Sequence, residues 1–194
     1  MLMRIISPKT AKRILNMMGW KGMDEAIPAP KCIILGAPHT SIWDFVISWL
    51  YYRSVGGNAK VMIKKGFFKW PLGPILRHLG GIPVDRTTGG GAHLVRQMIE
   101  EFEKDEYFQL AIAPEGTRRP VKRWKGGFHL IAKATGVPVF LGYFDWGTKT
   151  VGAKEEFHIT DDVDADLKRI RQWYKDKGVV GKFPEKFTTG DDLD

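Results

Sequence analysis

Residues 31–53, KCIILGAPHTSIWDFVISWLYYR, form the stretch that decides the fold. The apolar run from Cys32 to Leu35 predicts a buried strand, and the Gly-Ala-Pro triplet after it predicts a break. A helix is predicted from Ile42 onward. This helix is apolar on every side, so we expect it to be buried in the core rather than to line a ligand groove.

Two side chains that could take part in catalysis lie where this strand leads into this helix. His39 and Asp44 are five positions apart, which on a continuous helix would separate them by about 140°. They can meet only if His39 lies in the loop and Asp44 in the first helical turn, after Ser41 as N-cap. An imidazole held by a carboxylate through one nitrogen suits a general base. The same residues also fit a capping box with no catalytic role, and their spacing does not decide between the two interpretations.

Strands and helices alternate over residues 30–145, which predicts an α/β fold in layers, with a mixed, mostly parallel central sheet flanked by helices. We expect a single domain over 1–194, with an N-terminal amphipathic segment at 1–27 and a poorly ordered tail at 182–194. The individual predictions are strands at 60–63, 82–84, 107–113 and 137–144, helices near 95–102, 124–135 and 163–177, and a hairpin between 149–151 and 156–159.

A second motif, APEGTR at residues 113–118, directly follows a predicted strand. Together with HTSIWD at 39–44, it resembles the HxxxxD and PEGTR blocks of the glycerolipid acyltransferases, the family of 1-acylglycerol-3-phosphate acyltransferase. Further blocks occur in the family's order over about residues 31–142. They are KKGFFKWPLG at 64–73 (with Gly66 where a Glu is usual), GIPVDR at 81–86 and VPV at 137–139.

The resemblance implies an enzyme of phospholipid biosynthesis that transfers a fatty acyl chain to the free hydroxyl of a lysophospholipid such as lysophosphatidic acid. The donor would be acyl-CoA or acyl-carrier protein, and no other cofactor is expected. No nucleophilic enzyme residue would be required, because a thioester is already activated. His39 would be the general base, oriented by Asp44. The substrate-binding candidates are Lys64, Arg86, Glu115, Gly116, Thr117 and Arg118.

Arg118 is the best candidate to bind the acceptor's phosphate, because a guanidinium offers bidentate hydrogen bonds that an ammonium does not. Lys64 and Arg86 are the next candidates. The alternative for Arg118 is a surface ion pair.

Glu115 is unusual in a phosphate pocket. By resemblance it would hold an arginine or contact the acceptor's hydroxyl, and the alternative is a salt bridge at the end of the strand. Gly116 would let the chain approach a ligand closely, and Thr117 could donate a hydrogen bond.

The composition favours an anionic partner. The net charge is +8 although three of the last four residues are acidic, which suits a phosphorylated substrate, an acidic carrier protein, an anionic lipid surface or nucleic acid. The single cysteine, Cys32, cannot form an internal disulfide, so we expect a core residue in a reducing, cytoplasmic setting. The other four histidines lack metal-ligand spacing, so no metal is expected.

Any membrane contact should be peripheral, since no apolar run approaches the roughly 18 residues of a membrane span and no signal peptide is recognisable. Residues 7–20 and 64–70 combine bases with apolar side chains, which suits docking on anionic lipid. Alternatively, the helix packs on the domain, and the loop folds onto the core or stacks on nucleic acid.

Two rival functions stay open. One is a non-catalytic basic module that binds membrane or nucleic acid, which would not explain His39, Asp44 and EGTR occurring together. The other is the same chemistry on a different lysolipid. No nucleic acid partner is expected.

Overall fold

The computed structural model describes residues 6–22, 25–85 and 90–189. Strands and helices alternate through most of this chain. The strands are β1 (Lys21–Gly22), β2 (Lys31–Ala37), β3 (Ala59–Lys64), β4 (Gly81–Val84), β5 (Phe108–Ile112), β6 (Val139–Asp145) and β7 (Thr150–Phe157). The α-helices are α1 (Pro8–Met17), α2 (Ile42–Ser54), α3 (Leu72–His78), α4 (Gly90–Lys104), α5 (Gly127–Thr135) and α6 (Val163–Lys177), and short 3₁₀ turns cover Lys65–Phe67 and Pro184–Lys186.

The strands form one mixed sheet in the order β1-β7-β6-β2-β5-β3-β4. Strand β2 is central and pairs in parallel with both β5 and β6. Strand β3 lies between β5 and β4 and is parallel to both, whereas β7 is antiparallel to β6. This confirms the predicted mixed, mostly parallel α/β sheet. The predicted separate hairpin at 149–159 is wrong, because β7 is one continuous strand that pairs with β6.

Helices cover both faces of the sheet. Alternate side chains of β2 point to opposite faces, so each set packs against a different group of helices. Ile33 and Leu35 are buried in a cluster with residues of α4, α5 and α6. Cys32 and Ile34 are buried in a second cluster with residues of α1 and α2. Burial raises the pKa of the Cys32 thiol to about 12, so Cys32 is a core residue, as predicted, and not a reactive thiol.

Helix α2 packs against both the sheet and α1, which explains why its sequence is apolar on more than one side. Ile47, Leu50 and Tyr51 are buried, in agreement with the predicted core position, while Ile42 and Trp43 at its first turn are exposed.

Helix α1 begins as predicted, with the Ser7 hydroxyl accepting the N–H of Thr10 at 3.1 Å and Pro8 at the first position. Ala11 and Leu15 are buried against the domain, so much of the apolar side of this helix is used for packing. None of the helices in the described ranges is long and apolar enough to cross a bilayer.

Residues 182–189 pack on the domain, where the sequence predicted a poorly ordered tail. The indole of Trp124 donates to the Thr188 carbonyl at 3.2 Å, and the N–H of Phe183 donates to the Thr40 hydroxyl at 3.3 Å. Thr188 and Thr189 are buried. The rest of the predicted tail, 190–194, lies outside the described residues.

Candidate active site

The loop after β2 is fixed by the carboxylate of Asp44, which is fully buried. Its Oδ2 accepts the main-chain N–H of Thr40 at 2.7 Å and that of Ser41 at 2.6 Å. In return, the Ser41 hydroxyl accepts the N–H of Trp43 at 3.2 Å. The capping box predicted from the sequence is therefore formed, and it places Asp44 in the first turn of α2.

The same carboxylate also faces the imidazole of His39. Nδ1 of His39 lies 3.5 Å from Oδ2 of Asp44, and the His39 side chain is 26% exposed while that of Asp44 is 0% exposed. Capping and imidazole contact therefore occur together, although the sequence presented them as alternatives. With Nδ1 toward Asp44, Nε2 is the nitrogen left for a substrate.

A third residue, distant in sequence, contacts the same carboxylate. Nε1 of Trp146, in the connection between β6 and β7, donates to Oδ1 of Asp44 at 2.8 Å. Sequence reasoning missed Trp146, because 102 positions separate the two residues and no motif links them. The available signal was its position directly after a strand that ends at the same sheet edge as β2.

Glu115 binds the loop that carries His39. Its Oε1 accepts the main-chain N–H of His39 at 2.8 Å, and its Oε2 is buried without a hydrogen bond to the part of the chain that the structure describes. Burial raises the pKa of Glu115 to about 8, against the opposing effect of the hydrogen bonds from the N–H groups of His39 and Glu115 itself. No described residue forms an ion pair with Glu115, so the arginine pair and the strand-end salt bridge considered for it stay predictions.

The segment after Glu115 turns sharply at Gly116, whose φ is +68°. A Cβ on this residue would lie 3.2 Å from Cγ of Lys125, so glycine serves both the turn and a close contact. The main-chain N–H of Lys125 donates to the Pro114 carbonyl at 2.7 Å, which places Lys125 against the loop, a position that the sequence did not indicate. The hydroxyl of Thr117 accepts the N–H of Arg119 at 3.3 Å.

Two of the predicted phosphate-binding residues are exposed at this edge of the sheet. Arg118 is exposed and forms no ion pair with the residues that the structure describes, so the surface ion pair offered as its alternative role is not found among them. Lys64 is exposed at the carboxyl end of β3, which is adjacent to β5. Arg86 lies outside the described residues.

Parallel strands bring their carboxyl ends to a common edge, which is where open α/β sheets bind ligands. Three neighbouring parallel strands, β2, β5 and β3, end at this edge. His39 follows β2, Glu115 follows β5, and Lys64 is the last residue of β3. Within the described ranges, no three His, Cys, Asp or Glu side chains are grouped so that they could hold a metal ion. The site is thus a histidine–carboxylate pair beside exposed cations.

Comparisons with known proteins identify the fold and the family of the chain. The chain shares its fold with the 1-acyl-sn-glycerophosphate (LPA) acyltransferase PlsC from Thermotoga maritima, with a TM-score of 0.56 and 17% sequence identity over 88% of this chain and 78% of that one. No curated protein matches the chain in sequence. The family model described as Acyltransferase matches residues 22–140, more than half of the sequence. The chain therefore belongs to the acyltransferase family, which confirms the resemblance seen in its sequence blocks.

Proposed function

We propose that this acyltransferase moves a fatty acyl chain from acyl-CoA or acyl-carrier protein to the free hydroxyl of a lysophospholipid, with lysophosphatidic acid as the first acceptor to test. The observation that carries the proposal is the His39–Asp44 pair, 3.5 Å apart. It lies at the carboxyl edge of the sheet, beside the loop that contains Glu115 and Arg118.

The proposed reaction needs one proton acceptor and no acyl-enzyme intermediate. Nε2 of His39 takes the proton of the acceptor's hydroxyl while the hydroxyl oxygen attacks the thioester carbonyl carbon. This attack forms the C–O bond of a tetrahedral intermediate, and the collapse of the intermediate restores the C=O bond and breaks the C–S bond. The imidazolium then gives its proton to the leaving thiolate, and Asp44 stabilises the imidazolium between these two steps. The hydroxyl of Ser41, two residues after His39, is occupied as the cap of α2.

The exposed cations suit a phosphate on the acceptor. Arg118 offers two parallel N–H donors in the plane of its guanidinium, and Lys64 adds a point charge from the adjacent strand. Arg86 is a third candidate from the sequence. Glu115, in contrast, is proposed to act through the His39 loop, since its carboxyl already accepts the His39 N–H.

We further propose that the enzyme docks on anionic membrane through an apolar patch formed by Phe67, Trp70, Leu72 and Ile75. These side chains are 57%, 88%, 54% and 50% exposed, and exposed Lys64, Lys65 and Lys69 lie beside them in sequence. Rings and aliphatic side chains mixed with lysines suit the headgroup region of an anionic bilayer.

The patch differs from the sequence prediction in two ways. Phe68 does not belong to it, because its ring packs beneath Arg77, with the guanidinium carbon 5.3 Å from the ring centroid. Leu72 and Ile75 come from α3, which the sequence did not predict. Helix α1 supports docking less well, since Ala11 and Leu15 are buried on the domain.

Mass spectrometry of the reaction products tests the proposed chemistry. Purified protein is incubated with palmitoyl-CoA or palmitoyl-acyl-carrier protein and with lysophosphatidic acid, lysophosphatidylethanolamine, lysophosphatidylcholine or monoacylglycerol. We expect a diacyl product with wild-type protein and about 10²–10⁴-fold slower product formation with His39→Ala. Product with only a different lysolipid would identify that lysolipid as the acceptor in place of lysophosphatidic acid. The proposal would be overturned if no pair gave product, or if His39→Ala gave as much product as the wild type.

A further inference from the structure

Trp146 contacts Asp44, the carboxylate of the candidate catalytic pair. It lies outside the part of the chain that the family model matches, which ends at residue 140. Its indole N–H donates to Oδ1 of Asp44 at 2.8 Å. Asp44 is fully buried, so this contact is made away from bulk water, where a hydrogen bond to a carboxylate is strong.

The indole is itself held by several parts of the fold. Its ring meets that of Trp20 edge to face, with centroids 4.9 Å apart, and its main-chain N–H donates to the carbonyl of Val180 at 2.9 Å. Nζ of Lys182 lies 4.8 Å from the centroid of Trp146 and 5.2 Å from that of Trp43. The donor is thus preorganised before substrate arrives.

The two oxygens of Asp44 have different partners. Oδ2 accepts the N–H groups of Thr40 and Ser41 and lies near Nδ1 of His39, while Oδ1 accepts the indole. A carboxylate bound through one oxygen alone can still rotate about its Cβ–Cγ bond. A rigid donor on the second oxygen fixes the plane of the group and therefore the direction in which Oδ2 faces the imidazole.

We propose that Trp146 is a positioning residue for acyl transfer, which acts by holding Asp44 in the orientation that Asp44 needs to orient His39. This inference rests on the proposed function. It extends the active site to the connection between β6 and β7 and to the segment around residues 180–182. Because the indole N–H donates to the carboxylate of Asp44, its effect should fall on turnover rather than on substrate binding.

Substitution of Trp146 by Phe tests the proposal, because Phe keeps an aromatic ring but loses the N–H donor. With lysophosphatidic acid and whichever palmitoyl donor supports turnover, we expect kcat to fall about tenfold or more, with KM changed less than about twofold. Trp124→Phe is the matched control. It also loses an indole hydrogen bond, to the Thr188 carbonyl, and it should lower Tm but leave kcat within about twofold of wild type.

A double-mutant cycle with His39→Ala separates positioning from general structural damage. A residue that acts only through His39 has nothing to act on once the imidazole is gone, so His39→Ala/Trp146→Phe should have the residual rate of His39→Ala. Wild-type kcat in folded Trp146→Phe, or a further drop of similar size in the double variant, would overturn the proposal. If Trp146→Phe does not fold, benzothienylalanine at position 146, which replaces the ring N–H by sulfur, must give the same loss of kcat.

Different results would exclude the role of His39 and the role of Trp146. An inactive His39→Ala with a fully active Trp146→Phe would remove only the role of Trp146, whereas a fully active His39→Ala would remove the proposed mechanism and this inference with it. If no donor and acceptor pair supports turnover, ¹⁵N spectra of the His39 ring decide. We expect a protonated Nδ1 in neutral His39 of the wild type and a shift toward the other tautomer in Trp146→Phe. Unchanged ring spectra would overturn the inference.

Discussion

Glu115 shows how one buried carboxyl can couple the site to pH. Its burial raises its pKa from 4.5 to about 8, because the charged form is poorly solvated. The hydrogen bonds from the N–H groups of His39 and of Glu115 itself offset only part of this shift. Between these values the folded protein holds a proton that the unfolded chain has released. The free energy of unfolding should therefore fall as pH rises through this window.

Glu115→Gln removes this titration and keeps an oxygen that can accept the His39 N–H. Relative to this variant, we expect the wild type to lose on the order of a few kcal/mol of unfolding free energy between pH 5 and pH 8. Urea denaturation at several pH values measures the difference. Glu185→Gln, at an exposed carboxylate, is the control, and its unfolding free energy should follow that of the wild type over this pH range. Parallel curves for wild type and Glu115→Gln would contradict the predicted shift.

Arg118 should distinguish acceptors with and without a phosphate. Loss of a charge-assisted hydrogen bond worth about 1.5–3 kcal/mol should lower kcat/KM of Arg118→Ala for lysophosphatidic acid by roughly one to two powers of ten. Monoacylglycerol, which lacks the phosphate, should be affected little. Arg119→Ala, at the exposed neighbouring position, is the matched control. An equal loss for both acceptors would identify Arg118 as a structural residue.

At the scale of elements, the loop between β2 and α2 does two tasks with one set of hydrogen bonds. The cap made by Ser41 and Asp44 begins α2 and also turns the carboxylate toward His39. Ser41→Ala should therefore cost about 1 kcal/mol of unfolding free energy and leave acyl transfer within a few-fold of wild type. Ser54→Ala, at the other end of α2, is the comparison. Complete loss of activity in folded Ser41→Ala would instead indicate a serine nucleophile.

The sequence predicted most of the elements that carry strong periodicity. The predicted strand at 60–63 is observed as β3 (Ala59–Lys64), and the helix near 95–102 lies within α4 (Gly90–Lys104). Helix α3 escaped prediction because Gly73 and Pro74 lie in its first turns, where they are read as loop. Strand β1 has only two residues and forms by pairing with β7, so no local pattern could show it.

The site was predictable only as far as its residues are close in sequence. His39, Asp44 and the 113–118 loop could be identified, because loop chemistry directly after apolar strands is a local signal. Their contact with Trp146 and the packing of Thr40 against Phe183 depend on how β6, β7 and the last described residues return to the sheet edge. Such long-range contacts leave no periodic trace in a single sequence.

At the scale of the whole molecule, the apolar patch should decide where the enzyme works. Each lysine near an anionic surface contributes about 1 kcal/mol, and complete burial of a large apolar side chain adds about 1.5–3 kcal/mol. Liposome binding should therefore be reversible, favour anionic over zwitterionic vesicles and weaken with salt. Liposome cosedimentation at two salt concentrations measures this binding. Equal binding to both vesicle types, unchanged by salt, would exclude an electrostatic contribution of the lysines.

The triple variant Phe67→Ser/Trp70→Ser/Leu72→Ser should lose binding to anionic vesicles and keep activity on detergent-dispersed acceptor. Leu130→Ser is the matched control, because Leu130 is 57% exposed, like Phe67, but lies on α5. Undiminished binding by the triple variant would exclude the patch as the docking surface.

The rate of acyl transfer by His39→Ala tests the central claim most directly. His39 is the one group in the account that moves the proton, and its side chain is partly exposed, so its removal should leave the fold intact. We expect kcat to fall by about 10²–10⁴, with an unchanged circular dichroism spectrum and a Tm close to that of the wild type. A folded His39→Ala protein that retains most of the wild-type rate would contradict the account.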